Sequence, residues 1–524
     1  MTLAKGLYFM SLSVKDLIEK EYIGYSVRSI VTDKKFRKTV INDKRVRGNR
    51  EIKKVVLDKI AVGGKVLLTG PTGEAKTLFA RLLIDYIAQE ISSHKYHIAG
   101  CPFLEDAGYL VHIIENFSKN IFNSIDVLQS LCPYCRKNIE DALSTKTEKI
   151  SLDNSSEIVK MAKTLPSKLE KVAVEKTLVR RTQIDPRNDP ESLYILLAGV
   201  ENLEKLLGGD STETFSHQSH KVGTLSQGFM VVNEIQRLHL SLLESLMGFL
   251  EDPQGIKYNL SGETVFVDGA IIFTSNAPLT VFGEESQPII NRVPEVLWPA
   301  RDVTDRIEIV RDMFQDHMVT SKLNITPNPT LIRMFELSGT NDKDLVSRLA
   351  YEFLAHVANE SIPRSLKSSS ARSENRVART DFYSALDEIH NPQRSPHIDL
   401  RTLNNAIGEI VIGSEASEEF EGIIVSLDTV RKALELYDIS PTMINNGLQA
   451  IKLQLRNTIR EGKTAVSVDD VTEEMDKLKS LSDEDLKKIV YEFEHLAEKE
   501  AKVGEYIFEK LKPSYQALLQ VSYM

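Results

Sequence analysis

The chain has 524 residues, of which 42% are hydrophobic, and its formal net charge at pH 7 is −10. This length corresponds to roughly two to four domains of about 150 residues each, and the acidic balance disfavours a dedicated nucleic-acid binder. No apolar run is long enough to span a membrane, and three cysteines in so long a chain do not make a disulfide framework. We therefore expect a cytoplasmic protein.

Residues 1–45 are interpreted as an N-terminal lead-in, and the strongest pattern follows a short apolar strand at residues 66–68. Glycines and a proline then force a turn, and Lys76 and Thr77 open an amphipathic helix. This order is typical of a phosphate-binding loop, whose N–H groups favour an anion. Lys76 then reaches the β- and γ-phosphates of ATP, and the Thr77 hydroxyl binds Mg²⁺. The predicted nucleotide-binding residues are Gly70, Pro71, Thr72, Gly73, Glu74, Ala75, Lys76, Thr77 and Asn233.

One position departs from the full phosphate-loop pattern. Where the pattern has a glycine before the lysine, this chain has Ala75, and its methyl group can crowd the phosphate or restrict the backbone. An ordinary Gly-Pro turn between a strand and a helix is therefore the alternative interpretation of this segment.

All three cysteines lie within residues 94–136. A Cys-x-x-Cys pair, a more distant cysteine and a histidine can close a tetrahedral Zn²⁺ site. The candidate ligands are Cys101, Cys132 and Cys135 with His97, or with His94 or His112 in its place. Reduced thiols without a metal, or a redox-active Cys-x-x-Cys pair, are the alternatives.

A second buried parallel strand is predicted at residues 229–232, with Asn233 and Glu234 at its carboxyl end. Ligands of α/β sheets bind at that end of the strands. In a phosphate-loop hydrolase, this strand supplies an Asp for magnesium and a Glu that activates the attacking water. We therefore predict Glu234 as the general base, whereas Asn233 can contact metal-bound water without a charge.

A hairpin is predicted from residues 257–260 and 264–267. The next apolar strand, residues 270–273, leads to Asn276, which is predicted to contact the γ-phosphate and orient the attacking water. Arg292 is a candidate arginine finger that acts on the phosphate of a neighbouring subunit. A surface arginine in a loop is the alternative interpretation of Arg292.

Helical spacing dominates the rest of the chain. Residues 301–412 are predicted to be helical, with Arg401 in one of the helices, and residues 413–524 to form an all-α C-terminal region. The C-terminal region shows no nucleophile–base pair. The chain also lacks the eukaryotic-type kinase signatures and the Gly-x-Ser-x-Gly elbow of the α/β-hydrolases.

The order of these motifs resembles the AAA+ ATPases, and within them the PrkA-type proteins, which are named serine protein kinases. The narrower resemblance covers residues 46–412. It rests on the segments 100–102 and 131–136, on residues 185–207, and on the second motif at 227–236. The first two segments resemble a cysteine-bearing insertion of the PrkA-type proteins, which we expect at residues 94–190. The PrkA-type motif also lacks the usual Asp before the Glu. Arg401 resembles the lid arginine that senses the γ-phosphate, whereas Ala75 replaces a family glycine.

The resemblance implies an α/β fold: a P-loop AAA+ domain with a parallel sheet over residues 46–300, followed by the helical lid and the all-α region. It implies an ATP hydrolase that uses Mg²⁺ and acts on a protein substrate or regulatory partner. Because an arginine finger acts in trans, we expect a homo-oligomeric ring. A protein serine kinase using the same ATP site is one alternative. The other is a nucleotide-binding regulatory scaffold in which Ala75 and Asn233 have removed turnover.

Overall fold

The computed structural model describes two compact units of the chain. Unit 1 comprises Met1–Val46, Arg50–Gly70 and Ala75–Trp298, and unit 2 comprises Arg47–Asn49, Pro71–Glu74 and Pro299–Met524. The described residues are 12–117, 119–144, 150–161, 163–179, 181–185, 228–238, 250, 256–260, 263–279, 291–320, 351, 353–359, 361–367, 379–389, 398–417, 422–424, 427–444, 446–447 and 450. Residues 451–524, the larger part of the predicted C-terminal region, therefore lie outside the description.

Unit 1 is a mixed α/β structure. Its helices are α1 (Val14–Glu19), α2 (Val27–Thr32), α3 (Lys34–Ile41), α4 (Arg50–Gly63), α5 (Lys76–His94), α6 (Gly108–Asn116), α7 (Ile121–Ser130), α8 (Pro133–Leu143), α9 (Ser155–Lys160) and α10 (Leu165–Leu169). Its strands are β1 (Leu12–Ser13), β2 (Lys65–Thr69), β3 (Tyr96–Ile98), β4 (Ala173–Lys176), β5 (Thr182–Ile184), β6 (Phe229–Val232), β7 (Ile256–Leu260), β8 (Glu263–Val267), β9 (Ala270–Ser275) and β10 (Glu295–Leu297).

Five of these strands form one parallel sheet in the order β10-β2-β9-β6-β5. Every residue of β2, β6 and β9 is buried. Near-continuous apolar runs of this kind are typical of parallel strands that are covered on both faces. The predicted α/β class and the three predicted buried strands are confirmed.

The register of the sheet brings three strand ends to one edge. β9 lies between β2 and β6, with Leu68 opposite Thr274 and Val232 opposite Phe273. Because all three strands run in the same direction, the residues that follow them gather at the same edge. Within unit 1, Gly70 and Lys76, the Asn233-Glu234 pair and Asn276 therefore meet there.

Alternate residues of β2 pack into two different cores. Val66 and Leu68 lie in a cluster with Leu83 of α5, whereas Leu67 lies in a second cluster with Phe273. This division follows from the two-residue repeat of a strand, which points successive side chains to opposite faces. Both faces of the sheet are thus buried, and this packing fixes the strand ends that carry the residues at the edge.

The predicted insertion contains α6 to α10 and the strands β3 and β4, which form an antiparallel sheet with β1 in the order β1-β4-β3. Because β1 pairs with β4, residues 12–13 pack against the insertion, with Leu12 opposite Val174. The predicted hairpin is also confirmed, since β7 and β8 are antiparallel and Leu260 lies opposite Glu263.

Unit 2 is largely helical in its described part. It contains α11 (Val303–Thr320), α12 (Arg379–Ile389), α13 (Leu400–Ile412) and α14 (Leu427–Leu436), with a small hairpin of β11 (Glu415–Ser417) and β12 (Gly422–Ile424). Its core joins residues of α11, α13 and α14, among them Phe314, Ile407 and Leu434. Among the helices of the described chain, none combines the length and the apolar character needed to cross a membrane.

Candidate functional site

Lys76 lies at the centre of the predicted nucleotide site, at the first position of α5. Its Nζ donates to the carbonyl oxygen of Gly70 at 2.7 Å and to Oδ1 of Asn276 at 2.8 Å. Only 4% of Lys76 is exposed. These neutral oxygens hold a buried positive charge beside the loop, where it can attract a phosphate.

Gly70 and Ala75 show why the loop pattern requires small residues. A Cβ atom at Gly70 would overlap with the carbonyl oxygen of Trp298. Ala75, at the other end of the loop, has a left-handed backbone with φ 54° and ψ 27°. That conformation costs an L-residue about 1–2 kcal/mol, whereas glycine adopts it without strain. The alanine is therefore accommodated, at the cost of local backbone strain.

Asn233 connects the phosphate loop to the neighbouring strands. Its Oδ1 accepts hydrogen bonds from Thr77 Oγ1 at 2.6 Å and from Thr274 Oγ1 at 2.8 Å. Its Nδ2 donates to Oδ1 of Asp185 at 2.9 Å. Because an amide offers both an acceptor and a donor, Asn233 satisfies two hydroxyl groups and a carboxylate at once.

The sequence analysis missed Asp185 as a member of this site. Asp185 directly follows β5, which is parallel to β6, so its carboxylate reaches the same edge as Asn233. A signal was present in the sequence, since an acidic residue follows a short strand. In the sequence analysis, however, Asp185 stands only as the first residue of the segment 185–207 that resembles the PrkA-type proteins. Asp185 supplies the negative charge that Asn233 lacks.

Glu234, the predicted general base, is tied to Asn276 and has an unusual backbone. Asn276 Nδ2 donates to Glu234 Oε1 at 3.3 Å, and Arg237 Nη1 pairs with Glu234 Oε2 at 3.1 Å. The backbone of Glu234 is left-handed, with φ 47° and ψ 52°. Such strain in a residue other than glycine concentrates at functional sites. The side chain is 27% exposed, so water can reach it.

Asn276 therefore bridges Lys76 and Glu234. Its predicted contact with the γ-phosphate stays a prediction. The two predicted arginines are not among these hydrogen-bonded residues. Arg292 is partly buried before β10 in unit 1, and Arg401 is exposed in the first turn of α13 in unit 2. Their proposed contacts with phosphate stay predictions.

Glu74 has a different environment from the one that a nucleotide contact suggests. Its Oε2 accepts hydrogen bonds from Arg301 Nη1 at 3.0 Å and from the Arg301 backbone N–H at 3.2 Å. Its Oε1 pairs with Arg306 Nη2. The three side chains are at most 1% exposed. Within unit 2, this buried ion-pair cluster anchors the loop segment 71–74, while the backbone of Glu74 remains part of the predicted phosphate loop.

Gly73 lies in the same anchored segment and has a φ of +75°. A Cβ atom there would overlap with the side chain of Asp399. Asp399 is the N-cap of α13 and accepts a hydrogen bond from Thr402 N at 2.7 Å. Within unit 2, the glycine thus permits close packing of the loop against the start of the helix that carries Arg401.

A second candidate site lies in the insertion. The ligand atoms of Cys101, Glu105, Cys132 and Cys135 all lie within 4.8 Å of one another, so the group is compatible with Zn²⁺. The three predicted cysteines do come together, and they are not joined by disulfides. His97 is not in this group: its ring instead faces Thr177, with Nδ1 at 3.2 Å from Oγ1, and Glu175.

The three thiols and the Glu105 carboxyl influence one another's protonation. Hydrogen bonds from the thiols of Cys132 and Cys135 hold the pKa of the Cys101 thiol well below its usual value. Burial raises the pKa of the nearby Glu105 carboxyl, and the charge of Cys101 adds to that effect. The sequence analysis missed Glu105, although its spacing of four residues from Cys101 is a signal that could have been used.

No known family model matches the chain, and no curated protein matches it. The resemblance to the PrkA-type proteins therefore rests on the motifs themselves.

Proposed function

We propose that the chain binds ATP with Mg²⁺ and hydrolyses the γ-phosphate, as an AAA+ ATPase of the PrkA type. The observation that carries this proposal is the bridge formed by Asn276, which is hydrogen-bonded to both Lys76 and Glu234. A phosphate-binding cation and a general base must act on the same phosphoryl group from nearby positions. The bridge supports the proposal because it links these two groups through a single side chain.

Each residue has a role that follows from its chemistry. Lys76 binds the β- and γ-phosphates and stabilises the charge that develops on them. Thr77 would hold Mg²⁺, which neutralises charge on the phosphates, and Asn233 and Asp185 would accept hydrogen bonds from its water ligands. Glu234 takes a proton from the attacking water, and Asn276 orients that water.

The family resemblance implies further features that do not follow from the contacts at the site. It implies a homo-oligomeric ring in which Arg292 of one subunit acts on the nucleotide of the next, and a protein substrate. It also implies that Arg401 senses the γ-phosphate. These features are part of the proposal on the strength of the motifs alone.

The test compares steady-state ATP hydrolysis by the wild type and by Glu234→Gln, at a protein concentration that permits assembly. Glutamine keeps the shape of the side chain and removes its basicity, so we expect hydrolysis to fall by about 10²- to 10⁴-fold while ATP binding persists. Glu409→Gln, an exposed change on α13, is the matched control and should leave hydrolysis unchanged.

Two results would contradict the proposal. Unchanged hydrolysis in Glu234→Gln would show that Glu234 is not the general base. ATP binding without any hydrolysis by the wild type would favour the scaffold or a kinase. Labelled phosphate on a protein serine that disappears in Lys76→Ala would then identify the kinase.

A further inference from the structure

The cysteine cluster of the insertion has the dimensions of a metal centre. Cys101 Sγ and Cys132 Sγ are 3.6 Å apart. In a tetrahedral site with Zn–S bonds of about 2.3 Å, neighbouring sulfurs are about 3.8 Å apart, whereas a disulfide brings them to about 2.05 Å. The sulfur separation therefore fits two ligands of one Zn²⁺.

The backbone around the cluster already supports metal-bound sulfurs. Cys132 is the N-cap of α8, and the Cys135 backbone N–H points to its Sγ at 3.5 Å. The Glu105 N–H points to Cys101 Sγ at 3.5 Å. Hydrogen bonds of this kind surround protein metal ligands and fix their orientation.

Glu105 is the fourth member of the cluster because its carboxylate is held in place. The Cys132 backbone N–H donates to Glu105 Oε2 at 2.9 Å, so the carboxylate is fixed beside the three sulfurs. Carboxylate oxygen is an accepted ligand of zinc, at about 2.0–2.2 Å. Three thiolates and one carboxylate complete a tetrahedron without a histidine.

We propose that Cys101, Glu105, Cys132 and Cys135 bind one Zn²⁺ in a closed structural site. A catalytic zinc keeps one position open for water or substrate, whereas four protein ligands leave none. Cys101 and Glu105 lie in the segment after β3, and Cys132 and Cys135 lie at the start of α8. The ion joins these two parts of the insertion, so its loss loosens α8 from the segment after β3.

The first experiment measures the metal content of the full-length chain purified in the presence of a phosphine reductant. We expect about one zinc per chain in the wild type. Cys132→Ser should lose stoichiometric zinc, and Glu105→Gln should bind Zn²⁺ about 10- to 100-fold more weakly. His97→Gln is the matched control, because His97 faces Thr177, and it should keep the zinc of the wild type.

A second measurement uses the wild type alone, so it does not depend on the folding of a variant. The chain is stripped with a chelator and titrated with Co²⁺, which should give sulfur-to-cobalt charge-transfer bands and the visible bands of a tetrahedral site. The three thiols should react with a disulfide reagent only after chelation, since all three cysteines are buried ligands.

Several outcomes would overturn the proposal. These are the absence of stoichiometric zinc together with thiols that react at once, iron in place of zinc, and equal zinc in Cys132→Ser. Zinc retained by Glu105→Gln but lost by His97→Gln would refute the ligand set. The cluster shares no residue with the ATP site, so none of these results bears on ATP hydrolysis.

Discussion

The contact between Asn233 and Asp185 makes Asn233→Asp an informative change. The variant replaces an N–H donor by a carboxylate oxygen at a position 2.9 Å from Asp185 Oδ1. Two carboxylates at about 4 Å repel by about 1 kcal/mol in bulk water and about 4 kcal/mol at an effective dielectric constant of 20. Protonation of one of the two carboxylates removes the repulsion. For a reference pKa of about 3.9, that protonation costs about 4 kcal/mol at pH 7, so the free energy of unfolding can fall by no more than this.

We therefore expect Asn233→Asp to lower the free energy of unfolding by about 1–4 kcal/mol at pH 7. At pH 5 the same proton costs only about 1.5 kcal/mol, so the loss should shrink to that value or less. The variant that combines Asn233→Asp with Asp185→Asn exchanges the amide and the carboxylate. It keeps one charge and all the hydrogen-bonding groups, so it should regain most of the lost stability.

Urea unfolding followed by tryptophan fluorescence is the assay, because Trp298 is the single tryptophan and is fully buried in unit 1. The solutions contain EDTA, since a divalent cation between two carboxylates would mask their repulsion. If Asn233→Asp were as stable as the wild type at pH 7, or if the exchange variant were no better than the single change, the reasoning would be refuted.

Two further changes test the phosphate loop. Ala75→Gly removes about 1–2 kcal/mol of left-handed strain and costs about 0.5–1 kcal/mol because glycine makes the unfolded chain more flexible. Urea unfolding should therefore show equal or greater stability for Ala75→Gly, whereas the control Ala61→Gly inside α4 should lose about 1 kcal/mol. Equal losses in the two variants would contradict the strain at Ala75. Glu74→Gln leaves two buried arginines without their carboxylate, so its free energy of unfolding, followed by circular dichroism, should fall by about 3–5 kcal/mol. The exposed control Glu51→Gln should lose at most about 1 kcal/mol. A small loss for Glu74→Gln would refute its ion pairs.

The parallel sheet and the place of its main ligands follow from local sequence. The strands β2, β6 and β9 are buried on both faces. Burial favours apolar residues at most of their positions, so each strand contains a short continuous apolar run, although Lys65, Thr69, Thr274 and Ser275 are buried as well. Polar residues that end such runs must lie at the edge of the sheet. The positions of Lys76, Asn233, Glu234 and Asn276 could therefore be predicted.

Contacts that depend on the packing of distant segments could not be predicted in the same way. Asp185 reaches Asn233 only because β5 pairs with β6, and the sequence does not specify which strands are neighbours. The fourth member of the cysteine cluster is Glu105 because the segment after β3 packs against α8, which a histidine-based spacing rule does not describe. Glu74 finds its arginines more than 200 residues along the chain.

The two departures from the phosphate-loop pattern are the reason to consider a scaffold that binds nucleotide without turnover, and the structure weakens both. Ala75 keeps the left-handed backbone that the missing glycine would adopt, and Asn233 has the Asp185 carboxylate beside it. Left-handed backbone is also found at Glu21, Leu104 and Asp438, so the conformation of Glu234 alone is no sign of turnover. The feature that supports hydrolysis among the proposed functions is the hydrogen bond between Asn276 and Glu234, which would place a water-orienting amide beside a general base. Hydrolysis therefore stays our proposal, and Glu234→Gln is its test.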